Sequence, residues 1–189
     1  GLMRVARFSS ATGMSSLVTL PLSLDRAEQR RGRAGRVSSG RCYRLWEESA
    51  ERFRPERIQP EILDADLTSV VLSCAKWGSV DRLDLPWITP PPQSAWEQAR
   101  QVLEMLGALD DGGRITDKGE KMAALPVHPR LANMIIAGGR KNLEISSVLA
   151  AILEENSFWR ETDIRKIFDV VRGNAQDKYS RRILRLSER

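Results

Sequence analysis

The apolar positions near the N-terminus predict a β-hairpin, a helix and a further strand. Two short β-prone runs, at residues 4–8 and 16–20, flank a group of turn-forming residues between positions 9 and 13. This arrangement is typical of a β-hairpin. Ser23 stands where an N-cap would begin the helix that follows, and the apolar and aromatic residues of 41–46 predict the strand.

Beyond residue 60 the apolar positions take up helical spacing. The first set is spaced i, i+3, i+4, i+7 and i+10, which predicts one apolar helix face ending near Gly78. Its members are Leu67, Val70, Val71, Cys74 and Trp77. After three prolines, Ser94 is the predicted N-cap of a second helix. The apolar face of that helix holds Ala99, Val102, Leu103 and Leu106. A turn at residues 110–113 predicts a small hairpin, and helix, helix and hairpin together outline a winged helix.

The rest of the chain predicts more helices. The charged stretch 47–60, which contains two prolines, predicts a linker. Five helices are predicted after the small hairpin, at residues 118–124, 129–137, 144–155, 163–171 and 175–186. His128, the only histidine, precedes Pro129 and is predicted to pack or to cap a helix. The tryptophans at 77, 87 and 96 are predicted to lie in the core and not to stack on bases.

Composition excludes several classes of protein. The chain has 189 residues, of which 41% are hydrophobic and 29% are charged, as in globular proteins. No apolar run approaches the roughly 18 residues that span a bilayer, so we expect no contact with a membrane. Cys42 and Cys74 cannot form a disulfide framework or a zinc cluster, which favours the cytoplasm. Because position 1 is glycine and no signal sequence follows, we expect the chain to be cut from a larger protein.

The positive charge is concentrated in two segments. The formal net charge of the whole chain is +5, but residues 26–44 alone carry seven arginines and one glutamate. Residues 160–189 carry nine basic and five acidic residues. Localised positive charge favours a phosphate-bearing ligand over a merely solvated surface.

The arginine run at residues 29–36 has the chemistry of a phosphate clamp. A guanidinium is permanently charged and offers a planar fork of donors that suits phosphate oxygens. Arg33 and Arg36 are three residues apart and would project from the same side of a helical turn. Gly32 and Gly35 leave room for a ligand or a neighbouring backbone. The alternatives are an arginine-rich RNA-binding loop and a basic helix that binds nothing.

This run resembles motif VI of the DEAH-box helicases of superfamily 2. The match, Gln-Arg-Arg-Gly-Arg-Ala-Gly-Arg, fills all eight positions from Gln29 to Arg36. Residues 1–20 resemble the segment after motif V and the hairpin that precedes motif VI. Residues 60–72 and 106–119 resemble the start and end of the family's winged helix, and residues 122–132 resemble the opening of its ratchet domain. The resemblance covers residues 1–155 and is greatest to the bacterial HrpB branch.

The resemblance implies a mixed, mostly α fold in three parts. Residues 1–48 would be the end of the second RecA-like α/β domain, with the hairpin and motif VI. Residues 49–116 would form the winged helix, and residues 117–189 a helical, ratchet-like bundle.

The resemblance also implies ATP-driven unwinding of RNA. Arg33 and Arg36 would be arginine fingers facing the γ-phosphate of ATP, and Gln29 would position that phosphate or the attacking water. Gly32 and Gly35 would permit the close approach. The phosphate-binding loop and the Asp-Glu-x-His run, which would bind Mg²⁺, are absent from this sequence. The fragment alone is therefore predicted to be inactive.

RNA is the expected macromolecular partner. Single-stranded RNA would be held by the accessory domains and the hairpin, and the C-terminal arginines would add salt-sensitive phosphate contacts. Those arginines are Arg181, Arg182, Arg185 and Arg189. The alternative to an enzyme is a winged-helix module that binds nucleic acid through its basic stretches alone.

Overall fold

A computed structural model describes residues 1–9, 14–154, 161, 163–173 and 180–182. Over these residues it has seven α-helices and one two-stranded sheet, which confirms the mixed, mostly α fold class. The chain divides into two units. The first unit comprises residues 1–66 and 87–95, and the second comprises residues 67–86 and 96–189. The boundaries after residues 48 and 116 stay predictions.

The predicted N-terminal hairpin is confirmed. Strand β1, Leu2–Ser9, pairs antiparallel with β2, Met14–Pro21, in a register that opposes Leu2 to Pro21 and Ser9 to Met14. The turn residues 10–13 lie outside the described part of the chain. The backbone N–H of Phe8 donates to the carbonyl of Asp64 at 2.9 Å, which ties the hairpin to the end of the first unit.

Helix α1, Leu24–Ala34, follows the hairpin with Ser23 at its N-cap position, as predicted. The first N–H groups of a helix have no partner within it and need one elsewhere. Here the N–H groups of Leu24 and Asp25 donate to the carbonyls of Pro55 and Glu56, at 2.9 and 3.0 Å. The start of α1 is therefore fixed by chain that lies about 30 residues later.

The linker predicted at 47–60 is wrong. Residues Glu48–Phe53 form a 3₁₀-helix, and Arg54 donates to the carbonyls of Gly1 and Leu22 at 2.9 and 3.0 Å. The Arg54 guanidinium also lies 4.1 Å from the centre of the Trp46 ring. Prolines and charges favour a loop, but this loop supplies the carbonyls and the cation that the hairpin and α1 require.

The strand predicted at 41–46 is also wrong. These residues have no regular secondary structure, and the side chains of Tyr43 and Leu45 are 76% and 89% exposed. A β-strand is stable only within a ladder, because its N–H and C=O groups need partners on a neighbouring strand. The described residues place no strand beside this segment.

Residues 67–116 contain the predicted helix, helix and hairpin. Helix α2, Thr68–Lys76, and helix α3, Gln93–Met105, precede an isolated bridge that pairs Leu109 with Ile115. In the turn between them, the carboxylate of Asp110 accepts from the N–H of Arg114 at 2.9 Å, which holds the pKa of Asp110 below its ordinary value. Ser94 is not an N-cap as predicted, since α3 begins at Gln93. The helix therefore starts two residues earlier than the pattern indicated.

The three tryptophans predicted to be core residues have different environments. Trp96 is buried in α3 and Trp87 is half-buried, but Trp77 is 79% exposed. Trp77 occupies the C-cap position of α2, and Gly78 leaves the helix there with a φ of +88°. The helix ends before Trp77 can join the buried face, so the core prediction is wrong for this residue.

Four further helices complete the described chain. They are α4, Asp117–Ala123; α5, Pro129–Gly138; α6, Leu143–Glu154; and α7, Ile164–Gly173. Each matches a predicted helix to within two residues, and α6 and α7 share a buried cluster. Its members are Val148, Ala151, Ile152, Ile167 and Val171. His128 is the N-cap of α5, where its Nδ1 accepts from the N–H of Arg130 at 3.2 Å, so the predicted capping role is confirmed.

The fifth predicted helix, at 175–186, lies outside the described residues apart from 180–182, which are helical. Arg181 and Arg182 are exposed there, and Arg185 and Arg189 are not described. Within the described helices, none has the length and apolar character needed to cross a membrane.

Candidate functional site

The arginine run lies on an exposed helix that is held at one end. Ala27 is the one buried residue of α1, and residues 28–43 are all exposed. Gln29, Gly32 and Arg33 lie in the C-terminal half of the helix, within a single turn of one another. Residues three and four apart share a helix face, so these three positions lie side by side.

Arg36 does not share that helix. Helix α1 ends at Ala34, and Gly35 is its C-cap with φ −110° and ψ 22°. The helical turn that would align Arg36 with Arg33 is therefore absent. Glycine is the poorest helix former after proline and is favoured just beyond helix ends, which explains why the helix stops there.

Some arginines of this region are neutralised by glutamates, and others are not. Arg31 pairs with Glu28 at 2.6 Å, and Arg44 pairs with both Glu28 and Glu51. The hydrogen bond to Glu51 raises the pKa of Arg44 above its ordinary value. Within the described residues, Arg33 and Arg36 have no ion-pair partner. Their donors are therefore available to an anion from outside this unit.

The two glycines of the motif lie beside open space. A Cβ atom at Gly32 would meet no atom within 4 Å, and one at Gly35 would meet only the carbonyl oxygen of Ser38, at 4.0 Å. Neither glycine is required by packing within the described chain. The surface over Gly32 is thus bare backbone next to the unpaired guanidinium of Arg33, an arrangement that suits a phosphate group.

Gly40 and Arg44 belong to this region, although the sequence pattern did not single them out. A Cβ atom at Gly40 would overlap the backbone carbonyl of Ala34, so only glycine allows the following chain to lie against the end of α1. The pairing of Arg44 with Glu28 spans 16 residues. The Arg44 contact depends on the tertiary fold, and no local spacing could have revealed it. The sequence alone could indicate the role of Gly40 only through its position shortly after the end of a predicted helix.

The donor set of this site fits an anion and does not fit a magnesium ion. Magnesium prefers oxygen ligands, most often carboxylates and phosphates. Among the described residues there is no group of three or more His, Cys, Asp or Glu side chains that could hold a metal ion. Gln29, Arg33 and Arg36 instead offer neutral or cationic donors, which suit the phosphates of a nucleotide.

Comparisons with known proteins cover almost the whole chain. A family model described as the winged helix of the helicase associated domain (HA2) matches residues 99–127. The chain is 35% identical over 188 residues to the ATP-dependent RNA helicase HrpB of Escherichia coli, which covers 98% of this chain and 23% of that protein. It is 40% identical over 136 residues to the probable ATP-dependent RNA helicase DHR2 of Saccharomyces cerevisiae, which covers 72% and 18%.

Solved structures give the same result. Two crystal structures of E. coli HrpB, described as a DExH-box NTPase and as a DEAH/RHA helicase, match with TM-scores of 0.77 and 0.81 at 31% and 32% identity. Each match covers 98% of this chain and 22% or 23% of the other. The chain thus spans less than a quarter of the length of these relatives. Together the comparisons confirm the resemblance to the C-terminal region of HrpB-like DEAH-box helicases.

Proposed function

We propose that this chain, whose sequence and fold resemble the C-terminal region of HrpB-like DEAH-box helicases, is part of an ATP-dependent RNA helicase. The relatives of similar sequence are described as ATP-dependent RNA helicases. In this proposal the chain supplies the arginine side of the ATP site, and the preceding part of a longer parent protein supplies the phosphate-binding loop and the ligands of Mg²⁺.

The observation that carries the proposal is the state of the motif VI arginines. Arg33 and Arg36, like Arg30, are exposed and have no ion-pair partner within the described residues, while Arg31 and Arg44 nearby are neutralised by glutamates. An arginine without a partner on a structured element is ready to meet an external anion. Open space over Gly32 gives a phosphate access to the backbone beside Arg33.

The chemistry of phosphoryl transfer assigns a role to each group. As the γ-phosphoryl group leaves ADP, negative charge spreads over its oxygens, and positioned guanidinium groups stabilise that charge. Arg33, held on α1, and Arg36, just beyond it, provide such groups. The amide of Gln29 can donate to a γ-phosphate oxygen or orient the attacking water. Gly32 and Gly35 lower the steric barrier to the approach of the nucleotide.

We propose that RNA is the substrate on which ATP hydrolysis acts, and that the protein binds it as a single strand. Binding through phosphates depends on accessible basic groups and is insensitive to sequence. The hairpin and the basic C-terminal segment are the parts of the chain assigned to this contact. Arg181 and Arg182 are exposed, in keeping with that assignment.

Substitution of the two arginines in the parent protein tests the proposal. We expect Arg33→Ala and Arg36→Ala each to lower ATP turnover by about 10³-fold, the scale typical of arginine fingers. Arg30→Ala is the matched control, because Arg30 is also an exposed arginine of α1 without an ion-pair partner in the described chain. Turnover is measured at saturating ATP with and without RNA. Turnover in Arg33→Ala and Arg36→Ala equal to that of the control would refute the assignment.

A further inference from the structure

Arg44 joins helix α1 to the 3₁₀-helix that follows it in the first unit. One of its terminal nitrogens pairs with Glu28 of α1, and the other pairs with Glu51. The planar guanidinium fork can hold two carboxylates at once in a fixed relative geometry. The Arg44 and Glu51 side chains are each about one-third exposed, at 31% and 32%. The pair of Arg44 with Glu51 is therefore only partly screened by water, whereas Glu28 is 45% exposed.

Helix α1 has few other anchors in its C-terminal half. Its one buried residue, Ala27, and the bonds from Leu24 and Asp25 all lie in the first half. Over the described residues, the contact between Glu28 and Arg44 is the only ion pair that links α1 to another element. The direction in which Arg33 projects depends on the direction of α1. Arg44 is thus placed to fix that direction.

The contact between Glu28 and Arg44 also neutralises a carboxylate next to the phosphate clamp at residues 29–36. Glu28 directly precedes Gln29, and its two carboxylate oxygens each accept from a different guanidinium, Arg44 on one and Arg31 on the other. A carboxylate that lost one of these partners would carry more uncompensated negative charge beside a site meant for phosphate. Like charges repel, and the repulsion grows where water is excluded.

We propose that Arg44 is a positioning residue for Arg33: it orients α1 and neutralises Glu28, without touching the nucleotide itself. This inference rests on the proposed function of Arg33. It predicts that Arg44 affects turnover mainly through Arg33, since displacement of a catalytic group by about 1 Å can cost about 10²-fold in rate, and that the charge on Glu28 adds a smaller effect.

A double-mutant cycle in the parent protein tests the inference. We expect Arg44→Ala to lower kcat for ATP by about 10- to 100-fold with little change in KM. In a protein that already carries Arg33→Ala, the same substitution should cause a much smaller further loss, because coupled residues are not additive. Arg52→Ala is the matched control, since Arg52 is an exposed arginine next to Glu51 with no ion pair in the described chain. It should retain full turnover.

Two milder variants keep the test valid if Arg44→Ala folds poorly. Arg44→Lys retains a positive charge but not the fork and should recover part of the lost turnover, and Glu51→Gln should lose less than Arg44→Ala. Equal turnover in Arg44→Ala and Arg52→Ala would overturn the inference, and so would a loss of the same factor with and without Arg33. Full turnover in Arg33→Ala alone would instead overturn the proposed function.

Discussion

Gly32 lies inside helix α1, and its position there has either a structural or a functional reason. Glycine inside a helix is less favourable than alanine by about 0.8–1.0 kcal/mol, so its presence needs a cause. Packing does not provide one, because a Cβ atom there would contact nothing within 4 Å. Under the proposed function, the cause is the space that a nucleotide would need above the backbone. A residue that weakens its own helix without easing any contact points to a ligand.

Alanine in place of Gly32 should therefore stabilise the protein but lower its ATP turnover. In the parent protein, we expect Gly32→Ala to keep or slightly raise the melting temperature, and to lower ATP turnover by at least about tenfold through displacement of the phosphate. Melting curves and steady-state turnover are measured on the same preparation. Gly173→Ala is the control, because Gly173, the last residue of α7, is also an exposed helical glycine with nothing within 4 Å of a Cβ atom. Unchanged turnover in Gly32→Ala would show that no group approaches this position.

For single residues, the sequence identified motif VI but not the side chains that surround it. The eight residues from Gln29 to Arg36 are contiguous, so their chemistry can be read from the sequence alone. Glu28 neutralises Arg31 within α1, but Arg44 and its second partner Glu51 reach this helix only through the tertiary fold. The predicted alignment of Arg36 with Arg33 failed for a local reason, the helix end at Gly35.

At the scale of elements, α4 is locked against the small hairpin by its first residues. The Thr116 hydroxyl accepts from the N–H of Gly119 at 3.0 Å and donates to the carbonyl of Gly107 at 2.7 Å. A Cβ atom at Gly119 would overlap the backbone carbonyl of Ala108 and crowd Ile115. The approach of α4 to the hairpin therefore depends on the absence of a side chain at Gly119.

Alanine at Gly119 should destabilise the second unit strongly. We expect Gly119→Ala to lower the free energy of unfolding by about 1–3 kcal/mol, the range for overpacking, because a backbone carbonyl cannot move aside as a side chain can. Urea unfolding followed by circular dichroism measures the loss. Gly173→Ala serves as the reference for a glycine in open space. Equal stability of the two variants would mean that α4 does not pack on the hairpin in this way.

Elements with strong helical periodicity were predicted well, and those that depend on neighbours were not. The spacing of apolar residues identified α2 and α4 to α7 to within about two residues, since an amphipathic helix forms its backbone hydrogen bonds within itself. The strand predicted at 41–46 lacks a partner in the described chain. The segment at 47–60 has the composition of a linker, yet its carbonyls cap α1.

In the molecule as a whole, the positive charge is concentrated in two segments, one for each of the proposed ligands, ATP and RNA. The arginine-rich segment at 26–44 lies in the first unit, and the basic segment at 160–189 lies in the second. The first would serve ATP and the second RNA. Because the sequence lacks a phosphate-binding loop, ATP would bind mainly to other parts of the parent protein, and this chain would contribute to its hydrolysis under the proposed function.

If Arg33 acts on the γ-phosphate during its transfer, the affinity for a transition-state analogue should depend on this arginine. The parent protein and its Arg33→Ala variant are titrated with ADP alone and with ADP plus aluminium fluoride, which mimics the transferring phosphoryl group. A residue that stabilises the transition state should affect the analogue and not the ground state. We expect Arg33→Ala to weaken binding of the analogue by about the same factor as turnover, with the affinity for ADP unchanged. Equal affinities of the two proteins for the analogue would contradict the account.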